Sequence, residues 1–231
     1  MITFFLFVLW LHCNDFVQSI VHRGLGHADD RKNLPLDNNV WDREYDKGDW
    51  SYLATNPLER SRLGIIYSSF YHTMSNKGHL LDVGCGEGAL SDMFVGPNAH
   101  FYHGIDVSNV AIEKAKTKRP HFDFSHANAM DYKPAGPITK FKMIVFSEMI
   151  YYIDHKAVLP HYATNYLEPN GTFVVSVWGE SESDIMKSAI YTDLATLYET
   201  VGSIYVSGMT SNPARKEFFR ASFLVVAYAV K

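Results

Sequence analysis

The first residues with chemistry in their spacing lie between Leu80 and Gly88, which reads Leu-Leu-Asp-Val-Gly-Cys-Gly-Glu-Gly. A short apolar run ends on Asp82, and glycines follow at every second position, Gly84, Gly86 and Gly88. Glycine lets a backbone turn sharply and approach a ligand without a side chain in the way. The N–H groups at the start of a following helix can then receive a negatively charged group. A second apolar run, Tyr102-His103-Gly104-Ile105, ends at Asp106. A carboxylate at the end of a second parallel strand can accept from both hydroxyls of a ribose. Loop and acid together specify a nucleoside-containing cofactor at the carboxyl edge of a parallel sheet.

The elements that must position this pair are legible on either side of it. Strand candidates are His79–Val83, His100–Asp106, Phe122–His126, Phe141–Ser147 and Thr172–Val177. Helical patterns fall between them at Ala89–Val95, Val110–Lys118 and Ala157–Leu167. This alternation predicts βαβ units, an α/β domain with helices on both faces of a mostly parallel sheet. Ahead of the sheet, Leu58, Leu63, Ile66, Phe70 and Met74 recur at helical spacing after Asn56-Pro57, which predicts a helix starting there. A longer helix is expected over about Ser183–Val201. Two last strands, near Ile204–Ser207 and Phe218–Val230, are joined closely enough to form an antiparallel hairpin.

With these motifs in place, the chain from about Trp41 onward resembles the class I S-adenosylmethionine-dependent methyltransferases. The loop is GxGxG headed by an acid, unlike the GxGxxG of nicotinamide enzymes. Gly104-Ile105-Asp106-Val107-Ser108 with Ala111-Ile112-Glu113-Lys114-Ala115, Phe141 through Glu148, and Leu167-Glu168-Pro169-Asn170-Gly171-Thr172 fit the same pattern. The resemblance implies a Rossmann-like sheet of about seven strands with an antiparallel last strand, and S-adenosyl-L-methionine as cofactor. It implies that Gly84, Cys85 and Gly86 face the methionine end, that Asp82 orients the loop or the methionine amine, and that Asp106 and Val107 border the ribose. Where the family usually places an acid and a small residue against the adenine, this chain has Asn128-Ala129, with Asp131 as another contact. Asn offers a carbonyl oxygen to the adenine amine but no charge.

The acceptor is expected beyond the end of the fourth strand, where the chain reads Phe146-Ser147-Glu148-Met149-Ile150-Tyr151-Tyr152, because ligands of open α/β sheets bind outside the strands' carboxyl ends. That string is similar to nodulation N-methyltransferases and to methyltransferases associated with polysaccharide synthesis. Trp41 through Tyr45, Gly48 through Leu53 and Glu59-Arg60 are similar to the second group, which points to a sugar or glycan-linked acceptor. A sugar hydroxyl needs a base to take its proton, with Glu148 the first candidate and His126 the second. An amine acceptor needs only its neutral form and carboxylates to hold it. Tyr151, Tyr152 and Trp178 are candidate acceptor contacts, since aromatic faces attract sugars and cations. Trp178 and one of the two tyrosines are equally explained by packing. A reading from another class is a methyltransferase-fold protein that binds without catalysis.

Lys and Arg total 21 against 25 for Asp and Glu, a net charge of −4, which lacks the positive field that carries nucleic-acid affinity. The two cysteines, Cys13 and Cys85, form no zinc spacing, and no histidine set with nearby acids suggests a metal. Ile2–Leu11 is an apolar run too short to span a bilayer as a helix. It reads either as the apolar region of a signal peptide cleaved after Val17-Gln18-Ser19, placing the chain in the secretory pathway, or as a short buried helix, with a cytoplasmic location by family resemblance. The expected organisation is therefore 1–19 signal-like, 20–48 polar arm and 49–231 methyltransferase domain. Asn170-Gly171-Thr172 is formally a glycosylation acceptor and is better explained as a tight turn.

Overall fold

A computed structural model describes residues 38–74, 78–179, 181–212 and 217–230. Ile2–Leu11 and the cleavage site after Ser19 lie outside the described residues. Seven strands form one sheet in the order β3-β2-β1-β4-β5-β7-β6: β1 (Leu80–Val83), β2 (Tyr102–Asp106), β3 (Asp123–His126), β4 (Phe141–Ser147), β5 (Leu167–Gly179), β6 (Tyr198–Asn212) and β7 (Glu217–Val230). The first five run parallel, and β7 pairs antiparallel with both β5 and β6. The chain order reverses between β1 and β4, so the carboxyl ends of these strands form the crevice where such sheets bind ligands.

Alternation along the strands splits the core into two layers. Leu81, Val83, Ile144, Phe146, Phe173 and Val175 pack under α4 (His155–Asn165), α5 (Glu182–Lys187) and α6 (Ala189–Leu197) through residues such as Val158, Ile185 and Leu194. Leu80, Tyr102, Met143, Val145 and Val174 face α2 (Pro57–Ile65), which presents Leu63, and α3 (Asn109–Lys118), which presents Ile112 and Ala115. The helical path of α2 continues through a wider turn, Ile66–Tyr71, and His72–Met74. As expected from Asn56-Pro57, the Asn56 Oδ1 accepts from the Leu58 N–H at 2.9 Å and caps α2.

Three elements depart from the sequence expectation. Ala89–Val95 forms only a 3₁₀ turn, Ala89–Met93, because Gly88 and Gly96, both at positive φ, leave too short a run to propagate an α-helix. The helix expected over Ser183–Val201 breaks at Ser188, whose hydroxyl accepts from the Tyr191 N–H at 3.2 Å and starts α6. β6 then begins at Tyr198, six residues earlier than expected, because Tyr198, Glu199 and Thr200 pair with β7; strand pairing overrides local helix preference. Asn170-Gly171 is an excursion within β5, with Asn170 at φ 59° and a register shift opposite it between Phe141 and Met143. β6 and β7 stay paired as far as Asn212 and Glu217, whereas β5 and β7 part at Gly179 and Ser222. The hairpin therefore runs past the carboxyl edge as a two-stranded ribbon.

Inside the stretch expected as a polar arm, residues 38–47 form α1 (Asn38–Lys47). The Asp42 carboxylate fastens it to the start of α3, accepting from the Ser108 hydroxyl at 2.6 Å and the Val110 N–H at 3.1 Å. Lys114 donates to the Tyr45 carbonyl from the other side.

Candidate active site

The glycine loop leaves β1 with Gly84 at φ 75° and Gly86 at φ 55°, a region that β-carbons disfavour. Space excludes larger residues as well. A Cβ on Gly84 would lie 2.8 Å from the Met149 side chain, and one on Gly86 would lie 2.6 Å from the Tyr45 hydroxyl. Tyr45, on α1, thus packs its hydroxyl against the loop, a contact that spacing in the sequence does not reveal. Cys85 points inward instead: its Sγ would be 2.9 Å from a Cβ on Gly104, so only its backbone belongs to the loop surface.

Asp106 closes this half. Its Oδ2 accepts from the Gly86 N–H and its Oδ1 from the Ser108 N–H, both at 2.8 Å. A carboxylate has about four lone-pair directions, so each oxygen keeps one for a ligand hydroxyl. Burial pushes its pKa up to about 6, against the two N–H donors and His126, which pull it down. Asp82 is 2% exposed; Tyr102 donates to its Oδ2 at 2.7 Å, while its Oδ1 is buried and has no donor among the described residues. Burial raises Asp82 to about 7, opposed by Tyr102 and Arg62. A buried acceptor with no donor costs free energy, and a cationic or N–H-bearing ligand would relieve it. These features fit an S-adenosylmethionine: a side-chain-free cradle, a carboxylate with spare lone pairs, and an unsatisfied acid.

Asn128 follows β3 with its Oδ1 accepting from the Met130 N–H at 2.9 Å, so one of the lone pairs expected to meet the adenine amine holds a turn. Ala129 is buried, its carbonyl accepting from Tyr162 at 2.8 Å. Val107 is half-buried, and its carbonyl lies 3.0 Å from the His126 ring. His126 ends β3, three strands from β4 and so roughly 14 Å away at ordinary strand spacing. It is exposed beside Val107 and Asn38 and does not join the second group of residues.

That group surrounds Glu148, which follows β4 at φ 58°. A non-glycine residue in the left-handed region is a strained position of a kind that clusters at functional sites. The register pairs Ser147 with Ser176, setting two hydroxyls side by side on the α2 face of the sheet. Ser176 donates to Glu148 Oε1 at 2.6 Å and accepts from the Glu148 N–H at 3.1 Å. Tyr151 donates to Oε2 at 3.0 Å, and its own oxygen accepts from the Trp178 N–H. From α2, Arg62 donates to Ser147 and, at 3.3 Å, to Ser176, while Nη2 and Nε grip Glu59 at 2.9 and 3.2 Å. Burial raises Glu148 to about 7; Arg62, Ser176 and Tyr151 lower it and Glu59 raises it.

Of the expected acceptor contacts, Tyr151 is buried as the partner of Glu148. The Trp178 side chain packs with Leu58 and Phe223. Tyr152 is half-buried and meets Trp41 edge-on, centroids 4.8 Å apart, with Trp50 6.1 Å beyond. Arg62 and Ser176 were not singled out from sequence, and Glu59 entered only as part of a family-like string, with no place beside Glu148. The available signal was in α2, where Glu59 and Arg62 share one face with Leu58, Leu63 and Ile66: a charged pair inside an apolar stripe. Among the described residues, no group of side chains suits a metal ion and no helix is long and apolar enough to cross a membrane.

Comparison with known proteins agrees with this architecture. The N-methyltransferase NodS from Bradyrhizobium japonicum WM9, solved with S-adenosyl-L-homocysteine, is 19% identical, with a TM-score of 0.60 over 83% of this chain and 97% of that one. A structure described under the conversion of a disulfide bond into a thioacetal group during echinomycin biosynthesis is 16% identical, with a TM-score of 0.64 over 84% and 93%. The [4+2]-cyclase SpnF is 15% identical, with a TM-score of 0.55 over 74% and 81%. At these identities the likeness is one of fold. The family model for a methyltransferase domain matches residues 60–210, more than half of the chain, and the chain therefore belongs to the class I S-adenosylmethionine-dependent methyltransferases.

Proposed function

We propose that this methyltransferase acts on a hydroxyl of a small polar acceptor, a sugar or glycan-linked group, with Glu148 as the base. The observation that carries the reading is the forced direction of the hydrogen bonds on Glu148. Ser176 accepts from the Glu148 N–H and from Arg62, and Tyr151 accepts from the Trp178 N–H. Each hydroxyl proton is left to point at the carboxylate. Both oxygens act as acceptors, which favours the charged form, while burial opposes it. A base held near neutrality combines availability with driving force for proton transfer.

In this reading Gly84, Gly86 and the backbone of Cys85 seat the methionine end of the cofactor, Asp82 takes its amine, and Asp106 takes the ribose hydroxyls. Val107, Asn128 and Ala129 border the nucleoside. When bound, S-adenosylmethionine supplies an electrophilic methyl group on a sulfonium. Glu148 would take the proton of the acceptor hydroxyl as the oxygen gains that methyl group. Alignment of the reacting atoms supplies much of the rate. Tyr152 and Trp41 give the acceptor side a half-buried aromatic wall that limits water.

Glu148→Gln tests this by keeping shape and one acceptor oxygen while removing the base. For a hydroxyl acceptor, turnover falls about 10²–10⁴-fold with S-adenosylhomocysteine affinity unchanged. For an amine acceptor, the alternative suggested by the similarity to an N-methyltransferase, the loss lies in acceptor binding and raising the pH restores rate. Wild-type turnover in the variant removes Glu148 from the chemistry.

A further inference from the structure

The Arg62 guanidinium lies 3% exposed inside the protein, though α2 carries it there from a part of the chain remote from both β4 and β5. Burying a charge is costly unless it is paired and hydrogen-bonded, and here the donors are divided. One edge of the fork is spent on Glu59 and Nη1 reaches Ser147 and Ser176. The ring of Phe223 lies 5.1 Å from its Cζ. Stability alone does not require this division, because replacing a buried ion pair with apolar residues is often neutral or stabilising. The division has a chemical consequence. Ser176 has two lone pairs; the Glu148 N–H occupies one and Arg62 the other, so the hydroxyl proton can go only to Glu148.

We propose that Arg62 is a positioning residue for the acceptor base: acting through Ser176, it fixes the hydroxyl that holds the Glu148 carboxylate in its charged form and orientation. This rests on the reading of Glu148 as the base. Among the described residues, the titratable and charged groups that act on Glu148 are Glu59 and Arg62 from α2, Tyr52 from the turn Ser51–Ala54, and Tyr151 from the turn Ile150–Tyr152. Arg62 is the one cation among them. Without it, the second lone pair of Ser176 loses its donor, so the hydroxyl is held by the Glu148 N–H alone, and the repulsion of Glu59 is unopposed.

The test reads Glu148 directly and needs no acceptor. In the full chain with carboxyl-¹³C glutamate, the resonance missing from Glu148→Gln is followed against pH. In Arg62→Gln its midpoint moves up by about one pH unit or more, roughly a tenfold loss in the ratio of charged to neutral carboxylate. Should that variant fail to fold, Glu59→Gln with Arg62→Gln leaves no orphaned charge, and the midpoint still rises because Arg62 outweighs Glu59 at Glu148. A midpoint unchanged or lowered in a folded variant overturns the proposal. A raised midpoint in a protein whose Glu148→Gln variant keeps full turnover upholds the wiring and overturns the base.

Discussion

The two halves of the crevice are built by different means. The cofactor half, at the ends of β1 and β2, is made of backbone: glycines at positive φ, N–H groups turned onto Asp106, and little side-chain bulk. The acceptor half, at the ends of β4 and β5, is made of side chains drawn from α2, β4, β5 and the turn after β4, tied by one buried ion pair. The first binds a fixed ligand and needs local geometry. In the proposed function the second must adjust a proton affinity, with charges that only tertiary packing can collect.

The half at the ends of β4 and β5 carries the larger stability debt. Arg62→Met leaves Glu59 buried and unpaired and should cost about 3–5 kcal/mol in urea unfolding, most of it recovered by Glu59→Gln in the same chain. No recovery would mean that the arginine acts by packing on Phe223 instead of by pairing. In the cofactor half, Asp106→Ala should weaken S-adenosylhomocysteine by about tenfold or more in calorimetry, the worth of roughly 1.5–3 kcal/mol for hydrogen bonds to a charged group. Equal affinity in a folded variant would remove the ribose assignment.

The buried acids allow a further discrimination. Asp82 and Asp106 are raised from near 3.8 to about 7 and about 6, and Glu148 from 4.5 to about 7. Between those values the folded chain holds protons that the unfolded chain has lost, so these acids make stability fall as pH rises from about 4 to 7. Asp82→Asn should flatten that decline in thermal unfolding of the ligand-free protein, and the difference from wild type should shrink toward pH 4. A parallel offset at every pH would show that Asp82 does not titrate in this window. The smallest effect expected is beside α1: Trp50→Phe removes the 2.8 Å bond from its indole N–H to Glu44 and should cost about 0.5–1.5 kcal/mol, leaving the Glu148 midpoint in place.

The parts legible in the sequence are those whose partners are near in sequence or repeat with the period of an element. Asp82, Gly84 and Gly86 qualify because a strand end and the turn after it fix their relation within a few residues, and Asp106 because it ends the next strand; the apolar runs of the central strands qualify because those strands bury both faces. The early start of β6 was not legible, since pairing with β7 decided it; the break at Ser188 is a local cap that the helical pattern on either side concealed. α1 was obscured by its polar composition; it is held by Asp42 on the end of α3 more than by an apolar face of its own.

By itself the sequence determined the parallel α/β sheet, the cofactor loop with its acid, and the position of Glu148 after the fourth strand. All follow from hydrophobic period and from what glycine and carboxylate can do at a strand end. Only the tertiary structure decided which groups face Glu148. The register of β4 on β5 sets Ser147 beside Ser176, and the packing of α2 on the sheet brings Arg62 over both. It also set His126 three strands away. Register and helix packing are settled by burial summed over whole faces, so the proton affinity of a single carboxylate is a property of the assembled core.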